Sequence, residues 1–258
     1  MPRKDLKNKP LIEAILELKW ALRAAQPGIA SDPHYRILIG RLFERVKNEY
    51  PAHEALPTST VPDEMVQHIV QHRFRAQPNA WPLVQLGPGI LTINETAGYT
   101  WPDFQRRCEE AVRAFVDAYP APDDLQIDSL ALRYIDAVPL DFTTESVFEF
   151  LGTKMKTIVK LPDSLFSGTD VTPNPSAFNW QASFEHQRPA GTVTLRFATG
   201  HREGQPVVVW ETLVASTQAQ APQVPAGFPA WLTAAHDITD DWFFKLIEGE
   251  LERRFSGD

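Results

Sequence analysis

The stretch LQIDSLALRYIDAVPL, residues 125–140, decides how the rest of the 258-residue chain is read. It reads as a long β-strand near the midpoint of the sequence, with Leu132-Arg133-Tyr134-Ile135-Asp136 at its centre. It also reopens a pattern that first begins at Leu11. In residues 11–22, Ile12, Ala14, Leu16, Leu18, Trp20 and Leu22 fall on one face at period two, while Glu13, Glu17 and Lys19 fall on the other. Ala, Leu and Glu are good helix formers. An unbroken alternation is nevertheless the mark of a strand with one buried face.

Both strands are succeeded by elements in the same order. After the first, a turn at Gln26-Pro27-Gly28 leads to a helix over residues 33–50, with Asp32 as cap and Tyr35, Leu38, Leu42, Val46 and Tyr50 as its apolar stripe. Residues 52–64 read as a loop. A three-strand meander comes next over residues 65–75, 81–86 and 90–94, the last two joined by Gly87-Pro88-Gly89. A helix over 101–119 carries the stripe Phe104, Cys108, Ala111, Val112, Phe115 and Tyr119. After the second strand come a short helix over 144–151, a loop over 161–177, a second meander from 178 to 215, and a closing helix over 229–255. The fold class is therefore α+β: two pseudo-repeated β-α-β-β-β-α halves, residues 1–122 and 123–258, whose antiparallel sheet is backed by amphipathic helices. The doubling rests on element order, since the halves share no evident sequence identity. The first strands of the halves are expected side by side at the centre, which brings Glu17 near Arg133.

Composition narrows the function. The formal net charge of -8 repels a phosphate backbone over long range and makes nucleic acid a poor partner. A single cysteine, Cys108, rules out an internal disulfide and fits a reducing compartment. No apolar run reaches the roughly 18 residues of a membrane span, and the polar start has no signal-peptide character. The reading is a cytoplasmic protein with no membrane partner, and a homodimer through an open sheet is an option.

Candidate chemistry is sparse. His68 and His72 share a face of the strand read over residues 65–75, but lie about 13 Å apart at the usual strand rise, too far for one zinc ion. Arg133 and Asp136 are three apart on a strand and point to opposite faces, so a carboxylate from a neighbouring strand, Glu13 or Glu17, is the better partner for Arg133 while Tyr134 packs. Glu13 and Glu17 on one strand are too widely spaced to be read as a glycosidase pair. His236 with Asp240 on the last helix has no nucleophile beside it, and Cys108 lies on an apolar stripe. No glycine-rich phosphate loop or dinucleotide fingerprint is present. No catalytic residue, metal or cofactor is assigned. What remains is a broad polar surface that includes Gln181, Glu185 and Arg196, to which Arg133, Tyr134, Asp136 and Glu17 are added as candidate partner- or ligand-binding residues.

Three short patterns occur together: Pro10-Leu11-Ile12-Glu13 opening a strand, Gly98-Tyr99-Thr100-Trp101-Pro102-Asp103-Phe104 leading into a helix, and Leu132-Arg133-Tyr134-Ile135-Asp136 on the central strand. With Ala235-His236 on the aromatic last helix, they make the chain resemble, over nearly its whole length, a sporadically distributed bacterial family of uncharacterised proteins of similar length. The resemblance implies a bacterial or phage origin and a lineage spread by gene transfer, and with it a mobile or defence-type locus; it brings no catalytic residues. The function expected is a non-catalytic protein-binding adaptor or regulator. The alternatives are a small-ligand-binding protein with a cleft between the halves, and an enzyme of unrecognised class.

Overall fold

The computed structural model of the protein describes residues 6–26, 29–96 and 98–257. The first five residues of the charged leader, and Pro27-Gly28 of the expected turn, lie outside the described residues. In chain order the elements are β1 (Leu11–Trp20), β2 (Arg23–Gln26), β3 (Ile29–Ser31), α1 (Tyr35–Val46), β4 (Ala52–Ala55), β5 (His72–Arg75), β6 (Leu83–Gly87), β7 (Ile90–Glu95), α2 (Trp101–Ala118), β8 (Ile127–Pro139), α3 (Val147–Lys154), β9 (Asn179–Gln187), β10 (Ala190–Arg202), β11 (Gln205–Thr217), α4 (Phe228–Ile247) and α5 (Glu250–Ser256).

Nine strands form one antiparallel sheet in the order β4-β5-β6-β7-β1-β8-β11-β10-β9, and β2 and β3 make a separate ribbon. The α+β class read from the sequence is the one found. β1 and β8 pair at the centre, with Ile15 opposite Arg133 and Leu16 opposite Leu132. On each side of that pair lies the last strand of the corresponding meander, β7 against β1 and β11 against β8. The two sides differ in detail, because the β2–β3 ribbon and the short β4 belong to the first half alone.

The strand residues that enter the core come from a single face. Ala14, Leu16, Leu18 and Trp20 of β1, Leu130 and Leu132 of β8, and Val193 and Val214 pack with Leu38 and Leu42 of α1, Phe104 and Phe115 of α2 and Leu232 of α4. A second cluster joins Val138, Phe197, Val208 and Trp210 to Leu151 of α3, Ile247 of α4, and Leu251 and Phe255 of α5. Among the described residues the five α-helices therefore cover one face of the sheet. Burial holds them there: a helix of 12 residues such as α1 is marginal alone in water. Its buried Tyr35, Leu38, Leu42 and Val46 contribute roughly 1.5–3 kcal/mol per large apolar side chain.

Asp32 fastens the way into α1. Its buried carboxylate accepts from Trp20 Nε1 at 2.8 Å, from the Tyr119 hydroxyl at 3.1 Å and from the His34 amide at 2.8 Å. The residue read as a helix cap thus closes the turn before the helix and ties β1, α1 and α2 together.

The structure corrects four boundaries. The alternating run over residues 65–75 is a strand only from His72 to Arg75. Its first part folds over the β6–β7 turn, where the His68 amide donates to the Pro88 carbonyl and the Gln71 amide to that of Leu86. Gly87 permits this, because a Cβ there would stand 2.0 Å from the Ile69 carbonyl oxygen. Residues 52–55, read as loop, form the edge strand β4; four residues after a proline give alternation too little length to register. The short helix of the second half starts at Val147, where Ser146 accepts from the Phe148 amide, and not at Thr144. The closing helix breaks at Glu248-Gly249, where Gly249 has φ 109°, a conformation glycine adopts readily.

Candidate functional site

Strand β8 has two faces, and the residues singled out on it divide between them. Arg133 points away from the helices and Tyr134 and Asp136 point under them, as residues of opposite parity on a strand must. The helix-free face collects Arg133 with Glu17 of β1, Arg196 of β10, and Gln181 and Glu185 of β9, since their cross-strand partners share that face. Two rows at its centre show the pattern. Ile15, Arg133 and Leu213 lie in register, and Glu13, Ile135 and Glu211 form the next row. Charge and aliphatic side chain alternate across three strands.

The expected adjacency of Glu17 and Arg133 is realised, in that both line one concavity of about 170 Å³ between β1, β7 and β8. Each nevertheless finds its ionic partner elsewhere. Arg133 Nε lies 3.8 Å from Glu211 on β11, and Glu17 pairs with Lys19 at 2.6 Å. The carboxylate for Arg133 thus comes from the other neighbouring strand than the one expected. Glu13 accepts from Asn94 at 2.8 Å, Asn94 accepts in turn from Thr92 at 2.7 Å and Gln85 at 3.0 Å, and this network floors the concavity. Towards the sheet edge Arg196 donates to Asn179 at 3.1 Å, and Ser183 and Thr194 are linked across the strands at 2.8 Å.

On the other face four aromatic residues from three segments converge. Tyr99 precedes α2 and Trp101 opens it, Tyr134 is on β8 and His236 is on α4. The Tyr134 hydroxyl lies 2.8 Å from that of Tyr99 and 3.0 Å from His236 Nδ1. The His236 ring stacks on Trp101, with centroids 3.6 Å apart and planes at 11°. Burial drives the Tyr134 phenol well above its ordinary range, with Tyr99 adding to the effect. Sequence reasoning finds these residues as separate motifs and does not join them, because they come from three segments far apart in the chain.

Asp136 sits two residues further along β8, opposite Trp210, where the two core clusters meet. It is 4% exposed and burial alone pushes its carboxyl up to about 8. A buried carboxyl without a compensating charge takes the proton instead. Among the described residues the Trp210 indole N–H, also buried, has no hydrogen-bond partner.

The remaining candidates separate. His68 lies at the β6–β7 turn, with Nε2 3.4 Å from the Trp20 carbonyl oxygen, while His72 meets His53 of β4 at 3.0 Å. They do not face one another. Cys108 is buried among apolar side chains, and burial raises its thiol well above the ordinary value, the opposite of a reactive cysteine. Among the described residues no helix is long and apolar enough to cross a membrane. Comparison of the sequence with protein-family models and with curated proteins finds no match to either.

Proposed function

We propose that the protein acts by binding and not by catalysis, as an adaptor or regulator that receives another protein on the helix-free face of its sheet. The observation that supports this reading is the one-sided packing of the five α-helices among the described residues. It leaves the other face with rows of Ile15-Arg133-Leu213 and Glu13-Ile135-Glu211 at its centre and hydrogen-bonding side chains towards β9. Arginine set among aliphatic side chains with carboxylates around it is the composition of a protein interface, where Arg is enriched. Depth argues the same way. The concavity at Glu17 and Arg133 measures about 170 Å³, below the ~300–1,000 Å³ usual for small-molecule sites, so the area of the face is its resource. The two halves meet as hydrogen-bonded strands, which leaves this shallow depression as the place for the alternative, a ligand between them.

The resemblance to a sporadically distributed bacterial family suggests where the partner is encoded: beside this gene, in a mobile or defence-type locus. Co-expression with each neighbouring open reading frame, followed by tandem purification, tests the proposal. One neighbour is retained by the unaltered protein and by Lys245→Ala on the exposed side of α4, and is lost with Arg133→Glu combined with Leu213→Lys. Retention of no neighbour, or retention indifferent to the paired substitution, overturns it.

A further inference from the structure

The nine-stranded sheet has two edges, and they are built differently. At one end β4 is four residues long and lies between Pro51 and Pro57. Shortness and nearby proline blunt an edge against further pairing. At the other end β9, NWQASFEHQ, is nine residues long and contains neither proline nor lysine. It pairs with β10 residue for residue from Asn179 to Gln187, without a bulge. Among the described residues, no backbone hydrogen bond runs from β9 to any element but β10. Ser183, Phe184 and Glu185 at its middle are exposed, Phe184 by 50%. A long flat edge with free backbone groups accepts an extended strand.

The sequence of this edge is complementary to itself. Two copies of β9 can pair antiparallel about a two-fold axis normal to the sheet, and the register that pairs all nine residues puts Ser183 on the axis. Gln181 then stands opposite Glu185, Ala182 opposite Phe184, and Trp180 opposite His186. Trp180 and Phe184 lie on the helix side, because their β10 partners are the core residues Phe197 and Val193. On that side a large ring meets a small side chain or another ring. On the other side a carboxylate meets an amide and serine meets serine. No like charges stand opposite one another, and such pairs are the unit of sheet stabilisation. Phe184 also packs edge-on against Trp242 of α4, with centroids 5.7 Å apart, so the apolar layer under the helices reaches this edge.

We infer that two copies of this chain join through β9 in that register, forming one continuous sheet with both helix layers on the same side. An unrelated strand gains the backbone bonds of the edge; a second copy gains the side-chain pairs as well. The helix-free faces stay open in such a dimer, so it leaves room for the partner proposed above and does not depend on it.

Cysteine cross-linking of the full-length protein tests the register. Ser183→Cys sets its thiol opposite that of the other copy, about 5 Å between Cα atoms, inside the range of a disulfide. Gln181→Cys sets the two copies' Cα atoms about 14 Å apart, outside it. The native Cys108 is buried and does not compete. Mild copper-phenanthroline oxidation is expected to give a covalent dimer with Ser183→Cys, none with Gln181→Cys, and a dimer again with Gln181→Cys and Glu185→Cys together. Sedimentation equilibrium shows a dimer for the unaltered protein. Phe184→Lys weakens it by about tenfold or more, with circular dichroism unchanged, because two added charges face each other diagonally across the axis. Arg133→Glu with Leu213→Lys leaves the dimer intact, which separates failure of this inference from failure of the protein-interface reading. A monomer at every concentration, equal cross-linking of Ser183→Cys and Gln181→Cys, a dimer indifferent to Phe184→Lys, or one abolished by the Arg133 and Leu213 substitutions overturns the inference.

Discussion

Asp136 is the residue at which burial and charge conflict most. Burial pushes its carboxyl up to about 8 from an ordinary 3.8. The folded state therefore holds a proton that the unfolded chain releases. That contribution to stability is complete below about pH 4 and is lost as pH rises to about 8. Four units correspond to an upper bound of about 5 kcal/mol, and local water entry reduces it. Asp136→Asn keeps the shape and removes the titration. Chemical denaturation at pH 5 and pH 8 is expected to show the unaltered protein losing roughly 2–3 kcal/mol between the two, and the variant losing much less of it. Equal slopes for both place the carboxyl in contact with water. Tyr134 tests the neighbouring cluster: Tyr134→Phe takes one hydroxyl from between Tyr99 and His236 and is expected to cost about 1–3 kcal/mol, since both partners stay behind in a buried setting. A change within error in the denaturation midpoint contradicts a structural role for that chain of bonds. At this scale the sequence is readable for direction and not for distance. Parity along β8 places Arg133 and Asp136 on opposite faces, but nothing in Leu132-Arg133-Tyr134-Ile135-Asp136 marks the face that the helices cover, or the chain-distant Glu211 and His236 as the partners of Arg133 and Tyr134.

At the scale of elements, the glycines separate two effects. A Cβ at Gly87 collides with the Ile69 backbone, which lies on the segment that crosses the β6–β7 turn. Gly87→Ala is expected to cost about 1–3 kcal/mol, as overpacking against backbone does. Gly152 sits in α3 with nothing within 4 Å of where a Cβ would stand. Gly152→Ala is expected to stabilise by about 0.5–1 kcal/mol by restricting the unfolded chain. Urea midpoints measured side by side check the opposite signs, and a gain from Gly87→Ala contradicts the packing described. The same turn explains why periodicity overextends the strand over residues 65–75. His68, His72 and Phe74 alternate as a strand would, but the hydrogen bonds of His68 and Gln71 to Pro88 and Leu86 carry the first part of the run across a turn, a tertiary arrangement that periodicity does not contain. Strands β1 and β8 are legible because both are long, and β1 alternates without a break from Ala14 to Trp20. β4 is not, for want of length.

For the whole molecule, the central fact is that one layer of helices lies on one face of a nine-stranded sheet. The pairing of β1 with β8 makes that sheet continuous, and the row from Ile15 through Arg133 to Leu213 runs across its middle. Element order in the sequence anticipates an antiparallel sheet backed by helices and the pairing of β1 with β8 at its centre, but not which face of β8 the helices cover. The most direct test of the proposed protein interface is native mass spectrometry of the protein purified gently from its own host, in the unaltered form and with Arg133→Glu and Leu213→Lys together. The expected result is a second protein at fixed stoichiometry with the unaltered form and its absence from the variant. A bare monomer, a homodimer without another protein, or a complex that survives both substitutions contradicts the account.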